Sequence, residues 1–140
     1  MTRYLLDTNI ISNATKAVPP EPLVAWLADQ PDASLFIASL TLAEVRRGIL
    51  EKPNGKKRRE LEVWFSGPAG LLTLFSGRVL PFNEKAALIW AELVAGAALR
   101  GRPRSAPDMM IAAVALANDC VVVTDNVRDF VGLKVLNPMR

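Results

Sequence analysis

The chain has 140 residues, 51% hydrophobic and 22% charged, with a formal net charge of +3 and a pI near 9.4. That balance predicts a packed globule forming one domain over 1–140 and excludes a disordered chain. A lone Cys120 excludes a disulfide framework and a cysteine zinc cluster, and the absence of histidine removes Ser-His-Asp catalysis, histidine-assisted phosphodiester cleavage and histidine-ligated zinc together.

No signal-peptide pattern opens the sequence, and no apolar run approaches the roughly 18 residues of a membrane span. The expectation is a soluble, cytoplasmic protein with no membrane association. The positive charge permits an anionic partner without demanding one.

In chain order, "RYLL" (3–6) reads as a buried strand, and "DTNIIS" as a turn or cap leading into a short helix. "PEPLVAWLAD" opens on proline and places Leu23, Trp26 and Leu27 on one face, which predicts a helix over 20–30. "SLFIAS" (34–39) is a second strand. "LTLAEVRRGILE" has helical spacing and stops at "KPNG". Two helical pieces parted at Gly67-Pro68 follow, then a weak strand in "RVLPF". "NEKAALIWAELVAGAALRG" is a helix capped by Asn83 and closed by Gly101. "SAPDMMIAAVALAND" is a nearly all-apolar, central helix, "CVVVTDN" a fully buried strand, "VRDF" a turn and "KVLNP" a last short strand. Strands alternating with helices predict an α/β fold with a mainly parallel sheet flanked by helices in three layers.

Four acids stand out by location. Asp7 follows the first strand, Glu44 falls in the first turn of the helix after the second, Asp108 in the first turn of the apolar helix, and Asp125 after "CVVVT". In a parallel sheet these places gather along one edge, where open α/β folds bind ligands. Each acid also has a purely structural reading. Thr41 to Glu44 and Ser105 to Asp108 fit capping boxes, Asp7 fits an N-cap and Asp125 a turn. Together, though, four crowded carboxylates raise one another's pKa and destabilise a fold unless a cation joins them. Carboxylates alone select a hard ion, Mg²⁺ or Mn²⁺. Such an ion orients phosphate and activates water, and a pair of them stabilises both attacking and leaving oxygens; one ion and two both remain open.

The segments "LLDTNIIS", "TLAEVRRGI", "PDMMIAAVALAND" and "VVVTDNVRDFVGLKVLNP" resemble the PIN-domain ribonucleases, and within them the VapC-type toxins of type II toxin–antitoxin pairs, including the FitB-like branch. The resemblance runs in order over essentially the whole chain. It implies a PIN-like fold and a Mg²⁺-dependent endoribonuclease that leaves a 3′-hydroxyl and a 5′-phosphate. Asp7 and Asp108 match the acids that hold the metal, and Glu44 matches the acid that completes the site. Asn9 and Thr124 match positions that support the first and last acids. At the fourth acid the chain departs from the pattern: either Asp125 substitutes, or the neutral Asn126 fills the place. Asp125 ranks first, since an anion contributes more to a divalent cation, and Asp129 reads as a turn or cap residue. The resemblance further implies an RNA substrate, a small VapB-like antitoxin, a homodimer and a higher-order toxin–antitoxin assembly.

Basic residues form two groups, Lys52, Lys56, Lys57, Arg58 and Arg59, and Arg100, Arg102 and Arg104. Both read as solvated loop ends or as phosphate contacts beside the acidic rim, and the second group precedes Asp108 directly. Trp64 and Phe65 read as core, or as the wall of a groove for an antitoxin helix. Two other functions stay in view. One is a catalytically silent PIN-like module that binds RNA or protein. The other is a phosphatase-like or receiver-like domain using Asp7 as phospho-acceptor, disfavoured because "DTN" lacks the second acid of a DxD motif.

Overall fold

The computed structural model describes residues 1–101, 105–130 and 132–139. Tyr4–Leu6 forms β1, the central strand of a five-stranded sheet. Leu35–Ala38 (β2), Val79–Leu80 (β3), Val121–Val123 (β4) and Val135–Leu136 (β5) complete the order β3-β2-β1-β4-β5. Every neighbouring pair is parallel, so the sheet predicted as mainly parallel is wholly so among the described residues.

The two-residue period of the strands builds the layers. Leu5, Ala38 and Val122 face one core, and Leu6, Ile37 and Val123 the other. Both sides of these strands are apolar, as required of a parallel sheet covered on each face. The first core is filled from helices α6 (Glu84–Leu99) and α7 (Ala106–Ala117), with Met109 and the run Ile111–Ala115 buried. The second is filled from α1 (Thr8–Ala14), α2 (Glu21–Asp29), α3 (Ser39–Leu50), α4 (Lys56–Ser66) and the single turn α5 (Leu71–Leu74). Helix α6 has the expected ends: the Asn83 side chain accepts from the Ala86 N–H at 3.0 Å, and Gly101 takes φ +68° just beyond the last turn.

One boundary differs from expectation and matters for the site. Helix α3 starts at Ser39, directly after β2, with Ala38 as its N-cap and no side-chain cap. Glu44 therefore lies in the second turn, and Thr41 does not cap it. Thr41 is fully buried and its hydroxyl meets that of Thr8 at 3.2 Å. A buried hydroxyl needs a partner, and the one it finds lies across the fold rather than along its own helix. The Glu44 carboxylate is thereby free of a capping duty.

The strand order reverses between β3 and β4: the chain moves outward from β1 through β2 to β3, then returns to the other side of β1. The ends of β1 and β4 lie side by side at this switch point, with Leu6 opposite Val123 and the Asp7 N–H donating to the Val123 carbonyl at 2.9 Å. Such a crevice is where an open α/β sheet offers a binding site.

A 3-10 turn, Val127–Phe130, follows β4 and is anchored by Phe130, which is completely buried in the α6/α7 core. Phe130→Ala is expected to cost about 3–5 kcal/mol by removing a large core side chain, measured by urea denaturation; a loss below about 1 kcal/mol would mean that Phe130 does not anchor this turn.

Candidate metal centre

Asp7 is set by three neighbours. As N-cap of α1 its Oδ1 accepts from the Thr8 N–H at 2.8 Å. Its Oδ2 accepts from the Thr124 hydroxyl at 2.9 Å and from Asn9 Nδ2 at 3.2 Å. Thr124, itself wholly buried, also accepts from Asn9 Nδ2 at 3.1 Å and from the Asn126 N–H at 3.0 Å. Asn9 and Thr124 thus tie the end of β1 to the end of β4 and hold the carboxylate in one orientation.

Asp7 is only 5% exposed, and its pKa is raised to about 6, first by burial and further by the charges of Asp108 and Glu44, against the lowering bonds from Thr124 and Thr8. Glu44 reaches the same place from α3, where its Oε1 accepts from the Thr8 hydroxyl at 2.9 Å. Asp108 enters from the first turn of α7. Ser105, the N-cap, accepts from the Asp108 N–H at 3.2 Å and donates its hydroxyl to Asp108 Oδ2 at 2.8 Å. The Asp108 pKa is also raised, by burial first and then by Asp129 and Glu44.

Asp7, Glu44 and Asp108 therefore act on one another, and the remaining acid that bears on Asp108 is Asp129, within carboxyl hydrogen-bonding reach of it. Asp125 is exposed, and its carboxylate accepts from Asn13 Nδ2 at 3.3 Å. Its backbone N–H donates to Asn9 Oδ1 at 3.4 Å, so its main chain, rather than its charge, supports the Asp7 network. The Asn126 amide donates to the Asp129 carboxylate. The sequence reading of Asp129 as a turn or cap residue gave it no place at the site; the 3-10 turn carries it back toward α7. Thr8 was also missed as the link between Asp7 and Glu44, and no spacing rule along the chain reports that contact.

Of the basic positions, Arg102 and Arg104 lie outside the described residues. Arg100 is the C-cap of α6, with its guanidinium beside Gly96 of its own helix. Phe65 belongs to the core, whereas Trp64 is partly buried and lines a groove that also holds Thr8 and Glu44.

Chemically, this is an oxygen-only set with repelling charges at its centre. Among the described residues, no group of three or more Asp, Glu, His or Cys side chains is placed to hold a metal ion by itself. Mg²⁺ and Mn²⁺ do not require such a group, since they are bound through one or two carboxylates with water and phosphate completing the shell. The fit rests on Asp7: a carboxyl made costly to ionise first by burial and then by the charges of Asp108 and Glu44 is relieved by a divalent cation.

A PIN-domain family model matches residues 4–133. The chain is 36% identical over 136 residues to the VapC ribonuclease Y4jK of Sinorhizobium fredii, covering 96% of both chains, and 36% identical over 136 residues to toxin FitB of Neisseria gonorrhoeae, again covering 96% of both. The crystal structure of FitAcB from Neisseria gonorrhoeae superposes with a TM-score of 0.90 at 36% identity, over 96% of this chain and 97% of that one. DNA-bound VapBC from Salmonella typhimurium superposes with a TM-score of 0.75 at 26% identity, over 99% of each chain. With likeness of this extent in both sequence and fold, the chain belongs to the PIN-domain family, in the branch that contains VapC and FitB.

Proposed function

We propose that the chain is a metal-dependent endoribonuclease and the toxin of a type II toxin–antitoxin pair. The observation that carries this reading is the meeting of Asp7, Glu44 and Asp108 at the switch point, with the buried Asp7 carboxyl raised to about 6, in a chain 36% identical to a VapC ribonuclease.

In this reading Asp7 and Asp108 hold Mg²⁺, with Mn²⁺ an alternative, and the metal when bound supplies phosphate orientation, an activated water and neutralisation of transition-state charge. The protein supplies position. Thr124, Asn9 and the Thr8 N–H fix both oxygens of Asp7. The Thr8 hydroxyl aims Glu44, and Ser105 holds Asp108. Glu44 then stands where it can orient water or accept its proton. Asp129, held by Asn126, completes the polar shell in place of Asp125.

By likeness to FitAcB and VapBC, the partners proposed are an RNA substrate, a small VapB-like antitoxin and a second copy of the chain, within a larger toxin–antitoxin assembly in the cytoplasm. No described helix is long and apolar enough to cross a membrane.

The test is cleavage of RNA by antitoxin-free protein with and without EDTA. Cleavage that persists unchanged in EDTA would remove the metal from the mechanism. No cleavage, together with no Mg²⁺- or Mn²⁺-dependent thermal shift, would favour the silent binding module, for which the exposed Asp125 beside a neutral Asn126 is the one specific indication. The fourth acid is tested separately. Asp129→Asn is expected to lower kcat/KM by about 10–100-fold, the usual cost of losing an outer support of a metal ligand, while Asp125→Asn stays within about threefold of the parent. The reverse order would restore Asp125 to the site.

A further inference from the structure

A groove of about 430 Å³ runs between α1, α3 and α4. At one end it is lined by Thr8 and Glu44 of the acidic site, and farther along by Lys16, Lys52, Lys57 and Trp64. The three lysines come from separate places in the chain: just past α1, just past α3 and the first turn of α4. All are exposed. None of the ion pairs among the described residues engages them, whereas Arg46 and Arg58 are both tied to Glu62. Lys52 lies eight residues beyond Glu44, roughly 12 Å at helical rise. A cavity that begins at the Glu44 carboxylate and continues between ammonium groups that no ion pair among the described residues engages matches a chain of phosphates whose reacting group is brought to the acidic site. An aromatic wall adds a surface on which a base can stack.

We propose that this groove is the track of the substrate strand, with Lys16, Lys52 and Lys57 contacting backbone phosphates on the path leading away from Glu44, and Trp64 flanking a base. The inference rests on the ribonuclease reading and gives it a direction: the polynucleotide follows α3 from the acids toward the lysines. The rest of the basic run does not share this role. Lys56 and Arg59 line a separate surface with Glu60 and Val63, which makes this basic pair an internal control for charge outside the groove.

Gly48 supplies a way to close the track without opening the fold. It lies on α3 in the groove lining, and a Cβ there meets nothing within 4 Å. Gly48→Glu therefore adds a negative side chain to the track, in a helix where glycine is the less favoured residue.

The experiment is fluorescence anisotropy of a labelled single-stranded RNA oligonucleotide in EDTA over a series of salt concentrations, with thermal melts of each variant. Lys16→Ala, Lys52→Ala and Lys57→Ala combined should reduce the slope of log affinity against log salt by about 2, since each phosphate contact on a single strand contributes about 0.7. Gly48→Glu should weaken binding about tenfold or more without lowering Tm, and Lys56→Ala/Arg59→Ala should leave the slope within about 0.5 of the parent. Equal losses per charge removed in the groove set and in the Lys56/Arg59 pair would reduce the track to general attraction and overturn the inference. So would parent-like affinity and slope in the groove variants, which would leave the groove to a protein partner. Metal-dependent cleavage that persists with parental KM in those variants overturns the track alone. RNA bound through the groove but never cleaved overturns the proposed activity alone.

Discussion

Asp7→Asn and Asp108→Asn are each expected to reduce metal-dependent RNA cleavage by about a thousandfold or more, equivalent to about 4 kcal/mol of transition-state stabilisation, with no fall in melting temperature. The reason lies in the different duties of the acids. Asp7 and Asp108 come from separate elements and are each held by neutral donors, Thr124 and Asn9 for one and Ser105 for the other. Asparagine keeps the shape and part of the hydrogen bonding but removes the anion that a hard cation needs. Removing a support should cost less: Thr124→Val is expected to lower cleavage by about 10–100-fold. Measurement of kcat/KM under saturating Mg²⁺, beside a melt of each variant, distinguishes these outcomes. Near-parental cleavage in both asparagine variants would sink the assignment of Asp7 and Asp108 as the metal-holding pair.

The second large effect concerns stability in the absence of metal. The Asp7 carboxyl has an ordinary value of 3.8 and is raised to about 6 in the folded protein, chiefly by burial. Between those values the folded chain holds a proton at Asp7 that the unfolded chain has released, so stability falls as pH rises. The contribution is fully present below about pH 4 and is lost as pH passes through about 6. The full shift corresponds to about 3 kcal/mol, and Asp108, raised for related reasons, acts in the same sense. In EDTA, denaturation midpoints should drop across this window in the parent and drop far less in Asp7→Asn. Parallel pH curves for the two proteins would mean that Asp7 is not the buried group responsible. Above about pH 6 Mg²⁺ should restore stability, by about 2.7 kcal/mol at a hundredfold excess over its dissociation constant. Below about pH 5 the added ion should do little, because a proton already occupies the carboxyl.

Much of this was legible along the chain because it depends on short-range rules. Buried strands announce themselves as apolar runs, and Val121–Val123 and Tyr4–Leu6 formed where the runs stood. Asn83 and Ser105 capped the helices they preceded, since capping is settled within three residues. The location of Asp7, Glu44 and Asp108 near the ends of alternating elements also followed from pattern, because a parallel sheet gathers those ends at one edge.

Other features were invisible until the chain was folded. The pairing of Thr41 with Thr8, rather than with its own helix, spans 33 residues and left Glu44 free to turn toward Asp7. The sequence left Asp125 and Asn126 as alternatives and read Asp129 as a turn or cap residue; only the folded 3-10 turn Val127–Phe130 brings Asp129 to bear on Asp108, while the Asp125 carboxylate meets Asn13. The groove that joins lysines from three segments to Glu44 exists only through the packing of α1, α3 and α4. Local rules determine which residues begin and end an element, because those hydrogen bonds close within a turn. Which charges then meet is decided by the direction each element leaves the sheet, and that is a property of the packed whole.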